Sequence, residues 1–250
     1  MDQTTKPAAV IFDFDDTLVR TGPMIVEIYR GIFADLEIPF TDRDLAPGIP
    51  LGEFVRFVAH RHGRVVSDRE CESASRSYRQ SYDARASEIE KLLEPNAIDL
   101  LSALRAAGIR TAVASSGFGV VETAHAIGLA NYLDTVVDRD GVERGKPAPD
   151  LFLAAATRLN VDPAHCCGIE NAPAGIQAIV AARMCPIAVG KSSDAEDLGK
   201  AGAFRIFQGF RVLTPFRIET TYRDWQMEQA RERTRAATAT RGPKKNGAPA

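Results

Sequence analysis

Apolar residues are set along this chain in two rhythms. Short apolar-rich stretches at residues 8–12, 109–114, 132–137, 165–169 and 185–189 each give way at once to a polar residue or Gly, and read as buried strands. A weaker run at 204–207 reads as an edge strand. Helical stretches at 96–107, 120–127, 151–159, 174–182 and 195–201 lie between them, the first closed by Gly108. Strands alternating with helices predict an α/β fold on a doubly wound, Rossmann-like parallel sheet. Ligands of such sheets bind beyond the carboxyl ends of the strands.

The second rhythm fills the gap after the first strand. Met24, Ile25, Ile28, Tyr29, Ile32, Phe33 and Leu36 recur at helical spacing, and Leu51, Phe54, Val55 and Val58 begin another helix. Residues 45–50 read as a loop, and 67–93 as one long polar helix with Ser67 as its N-cap. This insert far exceeds a simple crossover, which usually holds one helix. The expected organisation is a core at 1–19 and 95–217 with a helical cap at 20–94. A charged helix at 218–237 carries the only tryptophan, Trp225, and 238–250 is expected to be disordered.

Composition narrows the function without naming it. A formal net charge of −2, with 45% hydrophobic and 26% charged residues, suits an ordinary soluble globule and gives no case for nucleic acid or an acidic membrane surface. No apolar run approaches the roughly 20 residues that span a bilayer. Residues 1–7 hold no apolar signal core, so a cytoplasmic protein is expected, as a monomer or homodimer acting on a small molecule. Cys71, Cys166, Cys167 and Cys185 lack metal-like spacing and read as reduced thiols.

Candidate chemistry sits at the strand ends. The first strand runs into Asp13, Asp15 and Asp16, then Thr17. Asp13 and Asp15 alternate with Phe14, so both can project to one side. Crowded carboxylates at the end of a buried strand need a positive partner, and oxygen donors suit Mg2+. Taken alone, the same residues also suit a helix start capped by Asp16 or Thr17. Later strand ends carry Ser115-Ser116-Gly117, Gly145-Lys146-Pro147-Ala148-Pro149-Asp150 and Glu170-Asn171-Ala172-Pro173.

Together these pieces resemble the haloacid dehalogenase superfamily. Asp13-Phe14-Asp15-Asp16-Thr17 looks like its first motif, Asp-x-Asp-x-Thr/Val after a hydrophobic strand. Ser115 fits the second, Lys146 in Gly-Lys-Pro-x-Pro-Asp the third, and Glu170-Asn171 with Ala174-Gly175-Ile176 the fourth. Asn171 departs from the usual Asp and removes one charge. The cap placement resembles the subfamily of phosphoglycolate phosphatases and β-phosphoglucomutases.

The resemblance implies phosphoryl transfer through an aspartyl-phosphate. Asp13 would be the nucleophile and Asp15 the general acid and base. Mg2+ would be held by Asp13, the Asp15 carbonyl, and Glu170 or Asn171. Ser115, Ser116, Lys146 and the turn at Asp16 and Thr17 would hold the phosphoryl group. Arg20 near the hinge and Arg56 in the cap are candidates for the rest of the substrate. Asp15 argues against dehalogenation, which in the family lacks that acid. A Schiff-base phosphonate-cleaving reading finds a single cap lysine, Lys91, near the far end. The mutase branch places a His in the first cap helix and an Arg in the cap loop; residues 24–36 have no His and 46–53 no Arg. Hydrolysis of a small phosphomonoester is therefore expected. The alternatives are a sugar-phosphate mutase and a catalytically weak phosphometabolite-binding or adaptor protein.

Overall fold

A computed structural model describes residues 6–45 and 51–240. The expected loop therefore lies outside the described residues after Leu45, as does the expected disorder of 241–250. Strands β1 (Ala9–Phe12), β2 (Arg110–Ala114), β3 (Thr135–Val137), β4 (Cys166–Glu170), β5 (Cys185–Gly190) and β6 (Arg205–Gln208) form one parallel sheet in the order β3-β2-β1-β4-β5-β6. The order reverses at β1, which is flanked by β2 and β4. Crevices at such a reversal are where doubly wound sheets bind ligands. Phe12 is level with Val113 on one side and Ile169 on the other. That register brings Asp13, the end of β2 and Glu170 to one edge.

Both faces of β1 are covered, which is why it reads as an unbroken apolar run. Val10 and Phe12 pack with α5 (Ala97–Ala106), α6 (Val120–Ala126) and α10 (Pro215–Thr240), whereas Ala9 and Ile11 pack with α7 (Asp150–Arg158), α8 (Pro173–Ala181) and α9 (Ala195–Lys200). β3 starts later than expected. The chain at Leu129–Tyr132 is a 3-10 turn whose Tyr132 carbonyl accepts from the Thr111 hydroxyl at 3.0 Å.

The insert forms α1 (Gly22–Asp35), α2 (Leu51–Arg61), α3 (Asp68–Asp83) and α4 (Ala86–Lys91). Ser67 caps α3 as expected, through a reciprocal box with Glu70. The single helix expected over 67–93 is in fact two, broken at Ala84 and Arg85. The chain must turn there to bury Ile89 and return to the hinge, where Leu93 pairs with Val19. Two further bonds tie the crossing: Arg20 N–H donates to Leu92 O at 2.8 Å, and Glu94 N–H to Leu18 O at 2.9 Å. Phe14, Leu18 and Val19 of the core belong to the same apolar cluster as Met24, Ile28, Phe54 and Tyr78 of the insert.

The last helix overruns its expected range at both ends. It starts at Pro215, a residue suited to a first turn, with the Thr214 hydroxyl accepting the Arg217 N–H at 3.2 Å. It continues through 238–240, which were expected to be disordered, because Gly242 and Pro243 come only later. Ile218, Tyr222 and Trp225 are its buried stripe. Among the described residues no helix is long and apolar enough to cross a membrane.

Candidate active site

The carboxyl edge of β1 and β4 carries a buried ion cluster. The Lys146 ammonium donates to Asp13 Oδ1 and, at 2.8 Å, to Glu170 Oε1. Glu170 is fixed from behind: its Oε2 accepts the N–H groups of Asn171 (2.6 Å) and Ala172 (2.7 Å) just ahead of α8. It folds so closely onto α8 that a Cβ on Gly175 would lie 1.8 Å from its Oε1. Only glycine fits there, which gives Ala174-Gly175 its physical meaning. Burial, reinforced by Glu170, pushes the Asp13 carboxyl up to about 8, against the pull of Lys146. Burial would lower the Lys146 ammonium, but Asp13 and Glu170 outweigh it and hold the group charged.

Asp15 stands apart from this cluster. Its Oδ1 accepts from the Thr21 hydroxyl at 2.7 Å and from the Tyr82 hydroxyl, on α3, at 3.0 Å. Burial raises its pKa, and these two bonds oppose the rise. Asp16 takes a left-handed backbone, φ 57°, and accepts the Gly22 N–H at 2.8 Å, closing the turn into α1. The buried Thr17 hydroxyl donates to Asn171 Oδ1 at 3.3 Å. Ser115 accepts the Gly117 N–H at 3.0 Å, whereas Ser116 Oγ is buried without a partner among the described residues and its residue lines the cavity.

Whether these residues suit a divalent cation depends on donors and charge. Among the described residues no three His, Cys, Asp or Glu side chains are arranged to hold a metal, because Glu170 is turned to Lys146 and Asp15 to the cap. Other oxygens remain. The Asp15 carbonyl accepts no hydrogen bond from a described residue, and among those residues Asn171 Oδ1 accepts only from the Thr17 hydroxyl. With Asp13 these are hard oxygen donors, and the acids at this edge exceed the single buried lysine. The set fits Mg2+.

The cluster opens into a cavity of about 390 Å³ between the sheet edge and α1, α2 and α3. Neither expected arginine lines it. Arg20 is exposed and faces Glu94 at 3.9 Å, and Arg56 pairs with Asp68 and Cys71 instead. Its place in the cap did not reveal that Arg56 has its own partner 12 residues on. Sequence reading missed Tyr82, Arg139, Tyr29 and Tyr78. The phenols were legible in part, since Cys71, Ala74, Tyr78 and Tyr82 repeat at buried-face spacing on α3.

Comparison with known proteins shows the family. The family model for haloacid dehalogenase-like hydrolases matches residues 7–183. The chain is 30% identical over 231 residues to β-phosphoglucomutase of Bacillus subtilis, covering 90% of this chain and 98% of that one. It is 27% identical to a phosphorylated carbohydrates phosphatase of Thermotoga maritima, covering 82% and 96%. A solved β-phosphoglucomutase from Clostridium difficile superposes with a TM-score of 0.79 over 88% of this chain and 99% of that one; at 23% identity it speaks to fold alone.

Proposed function

Because the chain belongs to the haloacid dehalogenase-like hydrolases, we propose that it is a Mg2+-dependent phosphatase of small phosphomonoesters. The observation that carries this is the division of labour between two carboxylates two residues apart: Asp13 is held by Lys146, and Asp15 by hydroxyls on the cap side. Asp13 attacks phosphorus in line and becomes the aspartyl-phosphate. Asp15 gives its proton to the departing alkoxide; its raised pKa suits that first task. The resulting carboxylate then takes a proton from the water that hydrolyses the acyl phosphate. Lys146 neutralises phosphoryl oxygens, and Ser115 and Ser116 donate hydroxyls to them. Asp13, Asn171 and the Asp15 carbonyl would hold Mg2+, which supplies charge neutralisation between carboxylate and phosphate. Glu170 acts through Lys146 by fixing its position. Four free cysteines fit a reducing, cytoplasmic setting.

The test is release of inorganic phosphate from a panel of monoesters with and without Mg2+, with Asp13→Ala as the blank. Turnover should need both Mg2+ and Asp13; equal release by the variant would sink the scheme. A second reading, a sugar-phosphate mutase, is supported by the identity to the B. subtilis enzyme. Interconversion of hexose monophosphates exceeding phosphate release would favour it.

A further inference from the structure

The cavity has two unlike walls. The sheet-edge wall holds every charged residue that lines it: Asp13, Asp15, Asp16 and Glu170, with Lys146 and Arg139 as the bases. Arg139 belongs to the phosphoryl end. Its guanidinium donates to Val142 O at 2.7 Å and its side chain lies against Gly145, next to Lys146. No charged residue of the insert lines the cavity among the described residues, and 46–50, Ala-Pro-Gly-Ile-Pro, has no charge to add.

In place of charge, the insert offers rings. Tyr29 packs on Phe54 at 4.9 Å between centroids and on Tyr78 at 5.8 Å, and all three line the cavity. Neither the Tyr29 nor the Tyr78 hydroxyl bonds to a described residue, and both residues line the cavity. A phenol so placed presents an apolar face and an unfilled donor together.

From this wall we infer that Tyr29, Phe54 and Tyr78 are the specificity element, and that they select an ester with one anionic group, whose leaving alcohol is a neutral hydroxylated ring. The inference rests on the phosphatase reading for its chemistry and adds which ester is taken. The ring's C–H face lies on the aromatic side chains, and its hydroxyls meet the Tyr29 and Tyr78 phenols. A second phosphate or a carboxylate would have to be desolvated against this wall with no cation to meet it, a large penalty. Return of the phosphoryl group to the far end of a sugar needs an anion site at both ends, and the insert wall supplies none.

Binding separates this inference from the turnover reading. Calorimetry on full-length Asp13→Asn protein with Mg2+ would compare hexose monophosphates with a hexose bisphosphate, 2-phosphoglycolate and glycerol phosphate. We expect the hexose monophosphates to bind about 10-fold or more tighter than the doubly anionic compounds. In the wild type, kcat/KM for phosphate release should rank the compounds in the same order. Tyr29→Leu should lower the preference for ring esters over glycerol phosphate by about 10-fold, and Tyr29→Phe by less, with thermal melting as the check that each variant folds. Asp13-dependent release that favours bisphosphate or phosphoglycolate would overturn the inference and leave the phosphatase standing. Ring-selective binding without Asp13-dependent release would overturn the phosphatase and keep the wall as the selecting element. Binding of none of the compounds would overturn both.

Discussion

The two walls of the cavity differ in how they are built. At the sheet edge the ends of the strands place the acids. Asp13 follows β1, Glu170 ends β4 and is held by the next two N–H groups, and Gly175 clears its space. On the insert side Tyr29, Phe54 and Tyr78 come from three helices and are held by packing alone. The first wall is charged and holds the proposed reaction centre. The second is apolar, and its rings can be exchanged without touching a charge. The same chemistry can therefore be aimed at different alcohols.

The contrast can be broken hardest at Lys146. Lys146→Met leaves Asp13 and Glu170 facing each other without their cation. Removing one partner of a buried pair typically costs about 3–5 kcal/mol, and turnover should fall to the level of the Asp13→Ala blank. A variant that melts normally and keeps wild-type kcat would show that the sheet-edge wall is not organised by this ion cluster.

A second effect should appear in the pH dependence of stability. In metal-free protein, folding raises the Asp13 pKa from 3.8 to about 8. The folded state then binds a proton that the unfolded state has released, so stability from this group is full below about pH 4 and is lost as pH rises towards 8. Melting temperature in chelator should fall across that window, and Mg2+ should restore it at the upper end. A flat profile with chelator, unaltered by Mg2+, would remove Asp13 as the cation's ligand.

The smallest effect tests a bond from α3 to the sheet-edge wall. Tyr82→Phe removes a donor to Asp15. A neutral hydrogen bond is worth about 1 kcal/mol, or roughly five-fold. Because Asp15 works in the transition state, the loss should appear in kcat with KM little changed. A change confined to KM would make Tyr82 a packing residue.

How much of this was legible in the sequence follows the same division. Asp13, Asp15, Lys146 and Glu170 lie at strand ends, where chain position fixes spatial position, and the four converge as the motifs imply. Parallel sheet, strand order reversal and helical insert follow from the alternation of runs. The insert side was not legible in the same way. Arg20 and Arg56 have nearby acidic partners that helical spacing does not reveal. The break after Asp83 carries no Gly or Pro, because tertiary return to the hinge imposes it. Thr21 and Tyr82 converge on one oxygen of Asp15 from positions 61 residues apart.

The crossing at Val19 and Leu93 gives the insert a further property. The chain leaves and re-enters the core at adjacent points, tied by two backbone hydrogen bonds. The helices between them therefore form a cassette whose ends already meet. Such a cassette can be replaced by another without lengthening, cutting or re-registering a strand of the sheet. The conditions on any replacement are few: it must present an apolar surface to Phe14, Leu18 and Val19, and a hydroxyl to Asp15 where Tyr82 now does. Recombination at two neighbouring points would thus hand an unchanged reaction centre a new clientele.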